Sequence, residues 1–219
     1  MIPDFREERR ALCASLVGLG KSGLSPGSTG NASIRVSGGM LISPTGLACA
    51  EVQESELVFI DDAGQCPAKQ LRPSSEWHMH LAIYREYAEA KAIVHCHSRF
   101  ATTLASLRKS IPAYHYMIAA AGGDTIPCAD YALFGSNELA QAIVTALRNR
   151  KACLMANHGQ IAYGQTPDKA LNLALQVEDL AAGYYQCLAL GEPYILDDRE
   201  MAAVLEQFKG YGQQSPPRA

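Results

Sequence analysis

Val94-His95-Cys96-His97 sets two imidazoles two residues apart. On a strand, that spacing puts both on one face, where they can meet one ion, and sends Cys96 to the other face as a packing residue. Catalytic zinc commonly takes three protein ligands and keeps one position open. His158, in Ala-Asn-His-Gly, offers a third nitrogen, and Glu76, in Pro73-Ser74-Ser75-Glu76-Trp77, a carboxylate in the first turn of a helix. Each also has a plain alternative. His95 and His97 could be unrelated, His158 a hydrogen-bonded loop residue, and Glu76 a partner of the helix dipole. Of the other histidines, His78 lies two residues past Glu76 and off its face, while His80 lies four past it and is an alternate ligand. His115 completes the set.

A second group of residues suits an anion. Gly27-Ser28-Thr29-Gly30-Asn31 supplies backbone amides, hydroxyls and a carboxamide in a tight glycine loop, a concavity that can bind phosphate. It lacks the Gly-Lys-Ser/Thr ending of a Walker loop. Ser43-Pro44-Thr45-Gly46 is another small-residue turn, and Ser74-Ser75 opens a helix whose free amides and dipole favour an anion. Glycine-serine turns are mostly just turns, so each signal is weak alone.

The elements that must position these groups follow from periodicity and breakers. A first helix is expected from about Asp4, as its cap, to Gly20, with Leu12, Leu16 and Leu19 on one face. Ala32–Val36 and Met40–Ile42 read as a hairpin, and Leu57–Ile60 as a further strand. Ser75–Tyr87 is helical, Ala92–His97 a β-branched strand and Phe100–Leu107 a helix behind it. Asn137–Arg148 and Thr166–Leu190 are the longest helical patterns, the second opening on Thr-Pro and closing at Gly191. Ala152–Ala156 and Gln160–Tyr163 flank His158, and Arg199–Lys209 is a last helix. No repeat or linker interrupts the chain. The expectation is one α/β domain over 1–212, with a polar tail at 213–219 that frays.

Composition narrows the function. Of 219 residues, 48% are hydrophobic and 19% charged, with a net charge of −3, so the chain folds and has no general attraction to nucleic acid or anionic membrane. The charged start has no apolar signal-peptide core, and no stretch approaches the roughly 20 apolar residues of a membrane helix. Seven scattered cysteines without a Cys-x-x-Cys pair read as reduced thiols of a cytoplasmic protein.

In this order, these residues resemble the class II sugar-phosphate aldolases over nearly the whole chain. The resemblance runs through Gly-Ser-Thr-Gly-Asn, Met-Leu-Ile-Ser-Pro-Thr-Gly, Pro-Ser-Ser-Glu-Trp, Val-His-Cys-His, Tyr-Ala-Leu-Phe-Gly, Asn-His-Gly and Phe-Lys-Gly-Tyr-Gly. The stretch from Ile111 to Ala129 is the most specific and looks like the branch that acts on L-fuculose 1-phosphate. The resemblance implies an α/β/α fold with a mainly antiparallel central sheet, a zinc ion, and a homotetramer with active sites between subunits. It makes His95, His97 and His158 the zinc ligands and Glu76 a fourth ligand at rest. Ser28, Asn31, Thr45, Gly46, Ser74 and Ser75 fall at phosphate-binding positions. Tyr116 matches a tyrosine that reaches a neighbouring subunit's site, and Phe134, Phe208 and Tyr211 lie near the aldehyde end. Ser28 stands where the family pattern has threonine, which keeps the hydroxyl.

Retro-aldol cleavage suits such a residue set. Zinc held by three neutral imidazoles keeps its full charge and can stabilise an enediolate. Glu76, displaced by substrate, is then the proton carrier at the enediolate carbon, and Tyr116 exchanges a proton with the aldehyde oxygen. The implied reaction is reversible cleavage of L-fuculose 1-phosphate to dihydroxyacetone phosphate and L-lactaldehyde. The rivals are an epimerase or dehydratase on the same scaffold and, from another class, a non-catalytic module like the adducin head, which lacks the zinc histidines.

Overall fold

The computed structural model describes residues 4–210. Tyr211 and the tail expected at 213–219 lie outside them. Helix α1 (Arg6–Lys21) buries Leu12, Leu16 and Leu19, the face that the leucine spacing predicts. Its start corrects one expectation. Phe5 takes the cap position in the left-handed region, at φ 48°, without a side-chain cap, and the Asp4 carboxylate instead pairs with Arg6.

Strands β1 (Asn31–Val36) and β2 (Gly39–Ile42) form the expected hairpin, and β3 (Val58–Asp61) pairs with β2. Helix α2 (Trp77–Glu86) leads into β4 (Ala92–Cys96), which is followed by α3 (Arg99–Ser106). A 3-10 turn, Tyr116–Ala121, precedes the two-residue strand β5 (Cys128–Ala129). Helix α4 (Asn137–Ala146) is capped by Ser136, and β6 (Ala152–Met155) and β7 (Gly159–Gly164) follow. Thr166 caps the long α5 (Pro167–Leu190), with proline at its first turn as read from the sequence. A capping box of Asp197 and Glu200 starts α6 (Asp198–Phe208).

All seven strands form one sheet in the order β3-β2-β1-β4-β7-β6-β5. Every pairing is antiparallel except β5 with β6, so the mainly antiparallel sheet is as expected. Strand alternation divides the core into two layers. Ala92, Val94 and Cys96 face α1, α3 and α5, whereas Ile93 faces α2 and α4. The result is an α/β/α sandwich buried on both sheet faces, with β1, β4 and β7 at its centre. Among the described residues no helix is long and apolar enough to cross a membrane.

Candidate active site

The alternation that buries Cys96 against α5 turns His95 to the α2 face, with His97 following just past the end of β4. Two ladder partners flank His95 there: Asn31 of β1 and Ile161 of β7. His158 comes from the β6–β7 turn, where Asn157 adopts a left-handed conformation at φ 55°. Glu76 sits at the N-cap of α2 but makes no side-chain cap bond; its carboxylate turns to His95 and His158 instead.

These four residues converge. One ligand atom from each of Glu76, His95, His97 and His158 lies within 4.8 Å of all the others. His95 Nε2 is 3.0 Å from His97 Nε2 and 3.2 Å from Glu76 Oε2, and His158 Nε2 is 3.0 Å from Glu76 Oε1. The three rings stand edge-on to one another, every pair of centroids 4.9 Å apart. His95 Nδ1 donates to the Gln160 carbonyl at 2.8 Å, which fixes the ring and aims Nε2 into the cluster. The turn carrying His97 is fixed from behind. Glu178 of α5 accepts from the amides of Phe100 and Ala101, both at 2.9 Å, and from Ser98 Oγ at 2.6 Å.

The electrostatics suit a cation. Burial disfavours the Glu76 carboxylate, but His95 and His158 beside it outweigh that and hold its pKa well below the ordinary carboxylate range. Burial, with His95 and His158 close by, pushes His97 down to about 4, so at neutral pH it is an uncharged ligand. Glu76 Oε1 is buried and lacks a partner with hydrogen-bond geometry among the described residues, despite the nearby His158 nitrogen. An orphaned carboxylate oxygen among converging imidazole nitrogens fits a divalent cation of the zinc type, which takes nitrogen and oxygen donors.

Three loops meet beside this cluster. Ser43 N donates to Ala32 O and Ser74 N to Ser43 O, both at 3.0 Å, and Thr45 N donates to Arg72 O at 3.0 Å. The ladder thus brings Gly27–Asn31, Thr45-Gly46 and Ser74-Ser75 together. Ser28, Thr45, Gly46 and Ser75 are exposed, Ser74 and Asn31 buried. Gly30 is required where it stands. A Cβ there would lie 2.2 Å from Ser25 Oγ and 2.9 Å from the His95 carbonyl oxygen. A cleft of about 320 Å³ opens over Glu76, His97 and His158, walled by Ser75, Tyr131 and Phe134.

Other sequence candidates lie elsewhere. Tyr116 is 49% exposed on its 3-10 turn, outside the cleft of its own chain. Phe208 packs on the α1/α3/α5 core layer rather than in this cleft. His80 is not with the converging ligands. It is fully buried and bonds Asn31 Oδ1 at 2.6 Å and Ser33 Oγ at 2.7 Å, and burial pushes its pKa down to about 3. Asn31 in turn donates from Nδ2 to Glu76 Oε2 at 2.9 Å. Sequence reading left this contact chain unseen, along with Tyr131 in the cleft wall. The only available signal was the four-residue spacing of Glu76, His80 and Tyr84.

The family model for the class II aldolase and adducin N-terminal domain matches residues 10–185. An L-fuculose phosphate aldolase of Escherichia coli is 50% identical over 191 residues, 87% of this chain and 88% of that protein. A 5-methylthioribulose-1-phosphate/5-deoxyribulose-1-phosphate aldolase of Rhodospirillum rubrum is 46% identical over 199 residues, 89% of this chain and 90% of that protein. A solved L-fuculose 1-phosphate aldolase superposes with a TM-score of 0.89 at 38% identity, covering 93% of this chain and 97% of its own.

Proposed function

As this chain belongs to the class II aldolase and adducin N-terminal domain family and is a class II aldehyde-lyase, we propose that it reversibly cleaves L-fuculose 1-phosphate to dihydroxyacetone phosphate and L-lactaldehyde. The observation that carries this reading is the convergence of three imidazoles and one carboxylate within 4.8 Å. His95, His97 and His158 would hold a zinc ion, with Glu76 as a fourth ligand at rest. When bound, the ion supplies positive charge beside the oxygens on which negative charge develops as the carbon–carbon bond breaks.

The chain's own groups supply the rest. Ser28, Asn31, Thr45, Gly46, Ser74 and Ser75 bind the phosphate, helped by the amides at the start of α2. That anchor sets the bond to be broken beside Glu76, which carries the proton on and off the carbon left by cleavage. Tyr116 gives a proton to, or takes it from, the aldehyde-derived oxygen and acts from a neighbouring subunit of a homotetramer. Its exposure and its distance from its own chain's cleft support that assignment. Phe134, 63% exposed on the cleft wall, meets the apolar end of the aldehyde. Seven free cysteines suit a reducing compartment such as the cytoplasm.

A second substrate reading rests on the Rhodospirillum rubrum relative. A 5-deoxy or 5-methylthio ketose 1-phosphate has the same phosphate end and also yields dihydroxyacetone phosphate, but a different apolar aldehyde. Apolar pockets separate such tails by only about 1–3 kcal/mol. The test is to offer the zinc-loaded enzyme L-fuculose 1-phosphate, 5-deoxyribulose 1-phosphate and 5-methylthioribulose 1-phosphate and compare kcat/KM for dihydroxyacetone phosphate release. Fastest release from the first supports the proposal, and preference for either other substrate replaces it with the second reading. An isomerised sugar without fragments would indicate an epimerase.

A further inference from the structure

Behind Glu76 lies a row of buried polar groups that neither the metal cluster nor the phosphate loops explain. Strand β1 presents Asn31 and Ser33 on one face, two residues apart, and α2 presents Glu76, His80 and Tyr84 at four-residue intervals opposite them. Two strand residues advance about 6.6 Å and four helix residues about 6 Å, so the two rows stay in step. The contacts follow in order. Asn31 Nδ2 is 2.9 Å from Glu76 Oε2, His80 Nε2 is 2.6 Å from Asn31 Oδ1, Ser33 Oγ is 2.7 Å from His80 Nδ1, and Tyr84 Oη is 2.8 Å from Ser33 Oγ. His80 and Ser33 are fully buried, Asn31 and Tyr84 nearly so.

The direction of every bond in this row is set from one end. A carboxylate only accepts, so Asn31 must turn its amino group to Glu76. Its carbonyl oxygen then accepts, and His80 must carry its proton on Nε2. The Nδ1 lone pair left over accepts from the Ser33 hydroxyl, whose oxygen accepts from Tyr84. Reversing the Asn31 amide would set its oxygen against the Glu76 carboxylate, losing that buried bond even if His80 changed tautomer to accept from the amino group.

We infer that His80 is a positioning residue: as the Nε2–H tautomer it holds the Asn31 carboxamide with its amino edge toward Glu76, and so holds Glu76 Oε2. Glu76 Oε1 is left as the oxygen without a hydrogen-bond partner among the described residues. One carboxylate oxygen is thereby pinned and the other kept for chemistry, and the second Asn31 N–H remains for a ligand in the phosphate loop. This assignment rests on the proposed aldol reading for its catalytic meaning. The tautomer itself does not depend on any substrate.

The first test is 15N-histidine NMR of the full-length zinc-loaded protein without substrate, with His80 identified by the signal lost in His80→Gln. A neutral Nε2–H ring is expected, and a neutral Nδ1–H ring would overturn the inference even if the enzyme proves to be an aldolase. The second test is kinetic. His80→Phe keeps the bulk but cannot donate to Asn31, so kcat should fall about ten- to hundredfold at unchanged zinc content, as for a catalytic group displaced by a fraction of an ångström to an ångström. His80→Gln, which can both donate and accept, should recover most of the loss. A folded His80→Phe enzyme within twofold of wild-type kcat would overturn the positioning role. So would a His80→Gln enzyme as slow as His80→Phe. Should His80→Phe fail to fold, the wild-type tautomer still decides.

Discussion

Gly159 presses so closely on the end of β4 that a methyl group on it would stand 2.5 Å from the Cys96 carbonyl oxygen and 3.0 Å from His97 Cδ2. The backbone carbonyl cannot move without shifting His95 and His97 on either side of it. Gly159→Ala should therefore cost about 1–3 kcal/mol by overpacking and weaken metal retention as well. Denaturant unfolding and metal analysis after dialysis check the two effects, and a fully stable, metal-retaining variant would refute the close-packing account.

Glu76→Gln keeps the shape of the side chain and three imidazoles, but a carboxamide does not carry the proton. Much of the metal should remain while the cleavage rate falls by about 10²–10⁴-fold. Exchange of the dihydroxyacetone phosphate carbon-bound proton with solvent should fall in parallel. Exchange near the wild-type rate would remove Glu76 from the proton step.

His97→Ala leaves two imidazoles and a carboxylate, a poor zinc site. The variant should lose both bound metal and activity, whereas the fold, whose two core layers do not include His97, should persist. Metal content measured beside far-ultraviolet circular dichroism separates the two outcomes.

His80 gives the folded state a pH dependence of known sign. Burial pushes its pKa down to about 3, against an ordinary 6.5 in the unfolded chain. The unfolded chain therefore binds a proton that the folded one refuses. Its contribution is complete above about pH 6.5 and is lost as the pH falls toward 3. Between pH 7 and 5 the loss should be on the order of 2 kcal/mol. Urea unfolding of chelator-treated protein at both pH values, compared with His80→Gln, measures it. An equal loss in both proteins would exclude His80 as the cause.

The proposed action of Tyr116 across a subunit boundary can be decided by complementation. Glu76→Gln subunits carry an intact Tyr116, and Tyr116→Phe subunits an intact Glu76. Co-refolding the two inactive proteins should restore a fraction of activity set by mixing statistics. No recovery in hybrids verified by native mass spectrometry would place Tyr116 in its own subunit's site or outside the reaction, and a fully active monomer would defeat the idea.

The parts legible in the sequence are those governed by local rules. Strand alternation is enough to separate His95 and His97 from Cys96, and Thr166-Pro167 and the Leu12/Leu16/Leu19 stripe mark α5 and α1. Asp4 misleads because good cap chemistry is overridden where Phe5 turns left-handed and stacks on Phe59, ring centroids 5.9 Å apart. The 3-10 turn at Tyr116–Ala121 and the two-residue β5 are too short to carry a period. The polar row from Tyr84 to Glu76 is hidden for a different reason. Asn31 reads as a glycine-loop amide and His80 as a spare ligand until the register of β1 against β4 and α2 sets them face to face.

The sheet order also has a consequence for how the chain matures. His95 and His97 emerge with β4, but His158 arrives only with the β6–β7 turn, after α3, β5 and α4 have been made, and β7 must close against β4 before the third imidazole is in place. A partly synthesised or partly folded chain thus offers a cation two nitrogens and a carboxylate at most. On the proposed reading the full ligand set forms only when β7 closes on β4, a pairing between segments far apart in sequence. By mass action, a cation that favours the complete ligand set stabilises the finished fold over every earlier intermediate. On the proposed metal-binding reading, the complete ligand set therefore exists only in chains whose central sheet has closed.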